Sequence, residues 1–167
     1  MSKDKEKEKE KEKGKEIIEK KLIELGLQLP TVPPSKGIYQ RCLVDGRHLY
    51  VSGHVSINTD GSYITGKLGK DIGEEEGKNA ARQCGLAILA SIKDKLGSLD
   101  KVKRVIKILG MVNTVTEYDK HPLVINGCSE LFAQLWGEDG IGVRSAVGMG
   151  SLPNNVSVEI EALFEIN

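Results

Sequence analysis

One segment near the C-terminus constrains the fold most tightly. Val156, Val158, Ile160, Ala162 and Phe164 alternate with Ser157, Glu159, Glu161, Leu163 and Glu165. A strict period of two places the first set on one face of an extended strand and the second, mostly charged, on the other. A chain with such a strand must cover one side of a sheet and leave the opposite side polar, so amphipathic helices are required on one side only.

The covering helices are legible. Ala81, Cys84, Ile88, Ile92 and Leu96 recur at helical spacing, and Gly97 is a natural stop. Asp71 followed by Glu74 resembles a capping box, and Glu74, Glu75 and Glu76 suit the positive end of that helix. Pro122 fits the first turn of a second helix with the stripe Val124, Cys128, Leu131 or Phe132, and Leu135, ended by Gly137. A shorter amphipathic helix carries Ile17, Ile18, Leu22 and Leu25, and Gly26 follows it. Pro30, Pro33 and Pro34 then require an extended connector.

The β-prone runs Tyr39–Val44 and Arg47–Ser52 flank Asp45-Gly46, a dipeptide suited to a two-residue hairpin turn. Val102–Asn113 reads as a strand. Val143–Met149 and the alternating segment read as a final hairpin turning near Leu152-Pro153-Asn154. The order helix, hairpin, helix, strand, helix, hairpin gives an α+β class, a mostly antiparallel sheet with two long helices on one face. Residues 1–15 form a separate unit: a Lys/Glu alternation with no apolar face, expected to be a disordered tail ahead of a single domain over 16–167.

Charge and cysteine content exclude several classes. Met1–Glu16 holds seven Lys and six acids, leaving seventeen basic and eighteen acidic residues in the body. That balance supplies no pull toward nucleic acid or an anionic membrane. No apolar run approaches the roughly 20 residues of a membrane span, and the N-terminus has no apolar core of a signal peptide, so the expected compartment is the cytoplasm. Cys42, Cys84 and Cys128 are odd in number and widely spaced, which suits small core residues rather than a disulfide framework. His48, His54 and His121 lack metal-ligand spacing, so no metal is expected.

Two motifs are decoys. Gly61 to Leu68 nearly matches a phosphate-binding loop, but Leu68 replaces the hydroxyl residue and no helix follows Lys67 directly. Asn155-Val156-Ser157 is a chance glycosylation sequon without a secretory signal. The basic stretch Lys101, Lys103, Arg104 and Lys107 suits protection of a sheet edge. If the final hairpin turns near Leu152-Pro153, Arg144 falls opposite Glu161, diagonal to Glu159 and on their face. An ordinary ion pair or a carboxylate site with an adjacent acid–base group would both fit.

The runs Arg144-Ser145-Ala146-Val147-Gly148, Leu152-Pro153 and Val156-Ser157-Val158-Glu159-Ile160-Glu161-Ala162 resemble the C-terminal signature of the YjgF/RidA family. Its members are the reactive intermediate deaminases, also called endoribonuclease L-PSP. Gly37-Ile38-Tyr39, Tyr50-Val51-Ser52-Gly53-His54 and Val124-Ile125-Asn126 extend the match, which covers Gly37 to Phe164. The resemblance implies a chorismate-mutase-like fold, a homotrimer, and clefts lined by two neighbouring subunits. By it, Arg144 would grip the carboxylate of a 2-imino acid and Glu159 would serve the hydrolytic water. Tyr39, Ser52, Gly53 and Asn126 would line the pocket, with Ala146 where many members carry a cysteine. Gly142 stands in place of a usual proline. The helix from Glu16 and the Ile57–Gly69 connection exceed the compact pattern and mark a divergent subgroup.

The implied activity is cofactor-free hydrolysis of reactive imine or enamine acids to 2-oxo acids and ammonia. A non-catalytic trimer that holds small carboxylates or protein partners is the first alternative, and a ribonuclease is the second. The scarcity of aromatics and the absence of a clustered basic groove weigh against the ribonuclease.

Overall fold

The computed structural model describes Lys3, Lys5 and residues 16–167; apart from those two lysines, the expected tail lies outside the described residues. The elements in chain order are α1 (Ile17–Glu24), β1 (Cys42–Asp45), β2 (His48–Val55), α2 (Glu74–Leu96), β3 (Val102–Asn113), α3 (His121–Trp136), β4 (Val143–Met149) and β5 (Val158–Ile166). Short 3₁₀ turns occupy Leu99–Lys101, Gly137–Gly140 and Pro153–Asn155. The five strands form one sheet in the order β1-β2-β5-β3-β4.

The α+β architecture agrees with the sequence pattern, whereas the final hairpin does not. β5 inserts between β2 and β3 and pairs antiparallel with both, while β4 runs parallel to β3 at the far edge. The segment between β4 and β5 is tied elsewhere. Val156 bridges Thr65, the Ser157 hydroxyl donates to the Gly66 carbonyl at 2.9 Å, and Asn154 and Asn155 take positive φ. These contacts carry the chain across the sheet instead of folding it back on β4.

Two crossovers follow from this order. β2-α2-β3 spans the inserted β5, and β3-α3-β4 joins neighbouring parallel strands. Both move the same way across the sheet, so right-handed connections place both long helices on one face. Ala162, Ile160, Phe164, Val105, Ile108 and Val112 face them and are buried. The helices pack closely enough that a Cβ on Gly127 of α3 would strike the Lys78 carbonyl of α2. Ile18 and Leu22 anchor α1, whose first amides, Ile17 and Ile18, each donate to the Asp100 carboxylate at 3.0 Å.

One local expectation fails for a clear reason. Asp71 does not cap α2, which begins at Glu74 after Gly73; its carboxylate accepts instead from the Lys67 amide at 2.9 Å, closing a loop. The basic run occupies the start of β3, where β5 is the partner strand and β4 joins only from Lys107. Lys103, Arg104 and Arg47 gather around Glu165 at 2.9–3.3 Å. Gly97 does end α2, in the left-handed conformation with φ 84°. Among the described residues no helix is long and apolar enough to cross a membrane.

The helix contact at Gly127 gives a stability test. Although alanine favours an isolated helix by about 1 kcal/mol over glycine, Gly127→Ala must part the two backbones. Overpacking of that kind costs about 1–3 kcal/mol, so the urea midpoint is expected to fall. An unchanged or higher midpoint would show that the crossing has slack.

Candidate functional site

The residues singled out from the sequence fall into two groups on opposite faces of the sheet. Ala162, Ile108 and Arg144 lie in one row across β5, β3 and β4. Register partners share a face, and Ala162 and Ile108 face the helices, so Arg144 does too. Glu159, Met111 and Val147 form a row on the open face, as do Glu161, Leu109 and Ser145. Arg144 is therefore neither opposite Glu161 nor diagonal to Glu159, and does not share their face. β3 separates β4 from β5, and the expected hairpin register does not exist.

Glu159 is positioned by an irregularity in β2. Val51 pairs with Ala162 and His54 with Ile160, so Ser52 and Gly53 form a bulge opposite the single residue Glu161. Gly53 has no side chain to obstruct its neighbour. A Cβ there would sit 3.1–3.2 Å from the carboxyl carbon and Oε2 of Glu159, so the Glu159 side chain lies over the strand. Burial raises its pKa, and the nearby Glu161 charge raises it further. Tyr39, Gly53 and Glu159 line one cavity of about 290 Å³.

Ser52 belongs to the bulge but not to that cavity. Its hydroxyl donates to the Gln40 carbonyl at 2.5 Å, and it lines a depression on the open face instead. The bulge is pinned from the helix side by His54. Its Nδ1 lies 2.6 Å from the Ser52 carbonyl and its Nε2 2.7 Å from the Ser91 hydroxyl. A carbonyl only accepts, so Nδ1 carries the proton and Nε2 accepts from Ser91. Burial lowers the His54 pKa and keeps this neutral form.

The second group is built on α3 and the β4 edge. Arg144 donates through Nη1 to the Ser129 hydroxyl at 3.0 Å and through Nη2 to the Pro122 carbonyl at 3.3 Å. Pro122, Asn126 and Ser129 recur at spacings of four and three along one side of α3, which brings half-buried Asn126 to the same region. Ala146, two residues beyond Arg144 on β4, packs partly against the core. Among the described residues no carboxylate pairs with Arg144. A guanidinium oriented by two neutral acceptors, with further N–H groups available, is suited to an anionic ligand.

Other sequence signals resolve simply. The Lys67 amine donates to Asn113 Oδ1 at 2.9 Å and to the Gly150 carbonyl at 2.6 Å, and the next helix begins only at Glu74. The three cysteines are free and buried; burial pushes the Cys42 thiol up to about 11 and raises Cys84 and Cys128 as well. Gly142 is explained by space, since a side chain there would lie 2.6 Å from the Ile106 carbonyl oxygen of β3. Among the described residues no group of three or more His, Cys, Asp or Glu could hold a metal ion. Sequence reasoning missed the His54–Ser91 link, which joins residues 37 positions apart.

Comparison with known proteins identifies the family. Residues 19–165 match the family described as "YjgF/chorismate mutase-like, putative endoribonuclease", and the chain belongs to it. Protein TCP17 of Trypanosoma cruzi is 37% identical over 147 residues, covering 87% of this chain and 92% of that protein. The structure of Atu1372 from Agrobacterium tumefaciens, a protein of unknown function, is 43% identical with a TM-score of 0.83, covering 90% of this chain and 94% of that one. The structure of a protein from Shewanella oneidensis described as a putative endoribonuclease is 28% identical with a TM-score of 0.85, covering 89% of this chain and 99% of that one. RidA from a Psychrobacter species, 23% identical with a TM-score of 0.54 over 83% of this chain and 97% of that one, shares the fold.

The raised Glu159 pKa predicts a pH-dependent effect on stability. Folding disfavours the ionised carboxylate, so the contribution of Glu159 is best below its unfolded pKa and is lost as pH rises through the folded value. Glu159→Gln cannot ionise. Relative to wild type, its urea midpoint should be higher at pH 7 than at pH 4. A variant that loses ground selectively at pH 7 would mean that the site favours the charge.

Proposed function

We propose that this member of the YjgF family hydrolyses reactive 2-imino acids, and the enamines that tautomerise to them, to 2-oxo acids and ammonia. The observation that carries the proposal is the pair of complementary half-sites: an arginine without a carboxylate partner among the described residues, and a glutamate shifted toward its protonated form. They lie on opposite faces of one sheet, so a complete site needs a second copy. A row crosses the open face through Leu43, Tyr50, Leu163, Lys107 and Val143, apolar except for Lys107, with Leu43, Tyr50 and Val143 exposed and Leu163 half-exposed. That surface is suited to burial between copies, and the family resemblance implies a homotrimer with three such clefts.

In this scheme Arg144 of one copy holds the substrate carboxylate through paired N–H donors. Glu159 of a neighbour takes a proton from water as the oxygen attacks the carbon of the protonated imine, forming the C–O bond while the C=N π pair moves to nitrogen. The same carboxyl then gives its proton to the amine nitrogen and takes the hydroxyl proton as the C=O bond forms, the C–N bond breaks and ammonia leaves. The carbon keeps its oxidation state: one imine and one water give one 2-oxo acid and one ammonia. A carboxyl raised toward working pH can both accept and donate a proton, which suits both halves of this sequence.

An amino-acid oxidase can supply fresh 2-imino acid, and its loss can be followed with and without the protein. Wild type should accelerate the loss. Arg144→Ala should lower kcat/KM at least ~30-fold, as expected for an unpaired charge at a carboxylate site. Glu159→Gln should lower kcat by about 10²–10⁴-fold. If wild type accelerates neither small nor bulky imines, the deaminase assignment fails. Binding of 2-oxo acids without turnover would then favour a carboxylate-binding module.

A further inference from the structure

The cavity beside Glu159 extends well beyond that carboxyl group, and its outer wall is made by segments that exceed the compact family pattern. β1 stops pairing with β2 at Val51, so the later part of β2 keeps β5 on one side and has no strand on the other. The chain before β1 does not continue the ladder, and Pro30, Pro33 and Pro34 hold it extended. This connector passes the open edge as a separate wall, and the loop through Ile57 and Tyr63 closes one side. Between these segments, β2 and α2 lies the space of about 290 Å³.

The α2 side of this space is small and apolar. Ala87 and Ala90 line it, flanked along the helix by the bulkier Leu86, Ile88, Leu89 and Ile92, which turn into the core. The polar groups on this wall, His54 and Ser91, already satisfy one another at 2.7 Å, and the second His54 nitrogen is committed to the Ser52 carbonyl. A ligand group entering here would meet chiefly methyl, prolyl and aromatic surface. An apolar cavity of about 150 Å³ suffices for benzene, so an aromatic ring or branched chain fits with room to spare.

We propose that this cavity receives the substrate side chain and selects 2-imino acids carrying a bulky apolar group, aromatic or branched. The proposal rests on imine hydrolysis at Glu159, which lines the same cavity. Lys36 and Arg41 lie at its more exposed margin, with Arg41 Nε donating to Ser35 Oγ at 3.3 Å. A substrate with a second carboxylate is therefore the competing chemistry, and it belongs in the same test.

The test compares imines generated from phenylalanine, leucine, alanine and glutamate, using wild type and Ala90→Leu. Wild-type kcat/KM should be at least tenfold higher for the phenylalanine and leucine imines than for the alanine imine, the discrimination expected of an apolar pocket. Ala90→Leu should reduce the first two about tenfold and leave the alanine imine within about twofold. A flat wild-type profile, a preference for the glutamate imine, or an equal loss on every substrate would overturn the proposal while leaving the deaminase activity intact. Ala87→Leu replaces the variant if Ala90→Leu does not fold. If wild type hydrolyses none of the four, the activity assignment fails, and the cavity is judged by ligand-induced thermal shift. Phenylpyruvate should then stabilise wild type more than pyruvate at equal concentration; equal or reversed shifts would overturn the cavity assignment.

Discussion

The structure depends on the insertion of β5 between β2 and β3. This strand carries the strictest alternation in the chain, and it pairs antiparallel on both sides. Its apolar residues require cover on one face, which α2 and α3 provide through crossovers of the same hand. Its acidic residues project from the other face, where Glu159 meets the Ser52-Gly53 bulge of β2. One strand thus sets the core, the helix layer and the position of the titratable group. The parallel strand β4, beyond β3, then carries Arg144 to the opposite side of the sheet.

Much of this was legible because it is local. Periodicity located α2, α3 and β5, Asp45-Gly46 marked the first hairpin, and Pro122 marked the start of α3. The failure at the final hairpin was topological. Sequence-adjacent strands with a proline-containing connection suggest a hairpin, but nothing local in Val143–Met149 reveals that its partner is β3. The contacts that settle the matter tie Val156 and Ser157 to Thr65 and Gly66, some ninety positions earlier in the chain. Once β3 intervened, the inferred proximity of Arg144 to Glu159 within one chain was lost.

The small residues show a similar division. Gly97 and Gly26 announce helix ends through positive φ, a property that sequence reading anticipates. Gly53 and Gly127 matter because of what lies beside them: the Glu159 carboxyl in one case and the α2 backbone in the other. Such roles appear only after tertiary packing is known. The His54–Ser91 link and the alanine wall of the cavity are similar, because each joins elements whose separation in sequence conceals their contact. The motif residues marked candidate half-sites, while packing determined the space around them.

The separation of Arg144 from Glu159 makes a second copy of the chain part of the proposed site, and mixed assemblies test this directly. Arg144→Ala and Glu159→Gln chains, each inactive alone, would be coexpressed with different tags, and assemblies containing both would be assayed for imine hydrolysis. In a cyclic trimer that contains both chains, about one interface in three should join an intact Arg144 to an intact Glu159. The account predicts recovery of roughly that share of wild-type activity in the mixed assemblies. Mixed assemblies that form but remain as inactive as their parents would contradict a site shared between subunits.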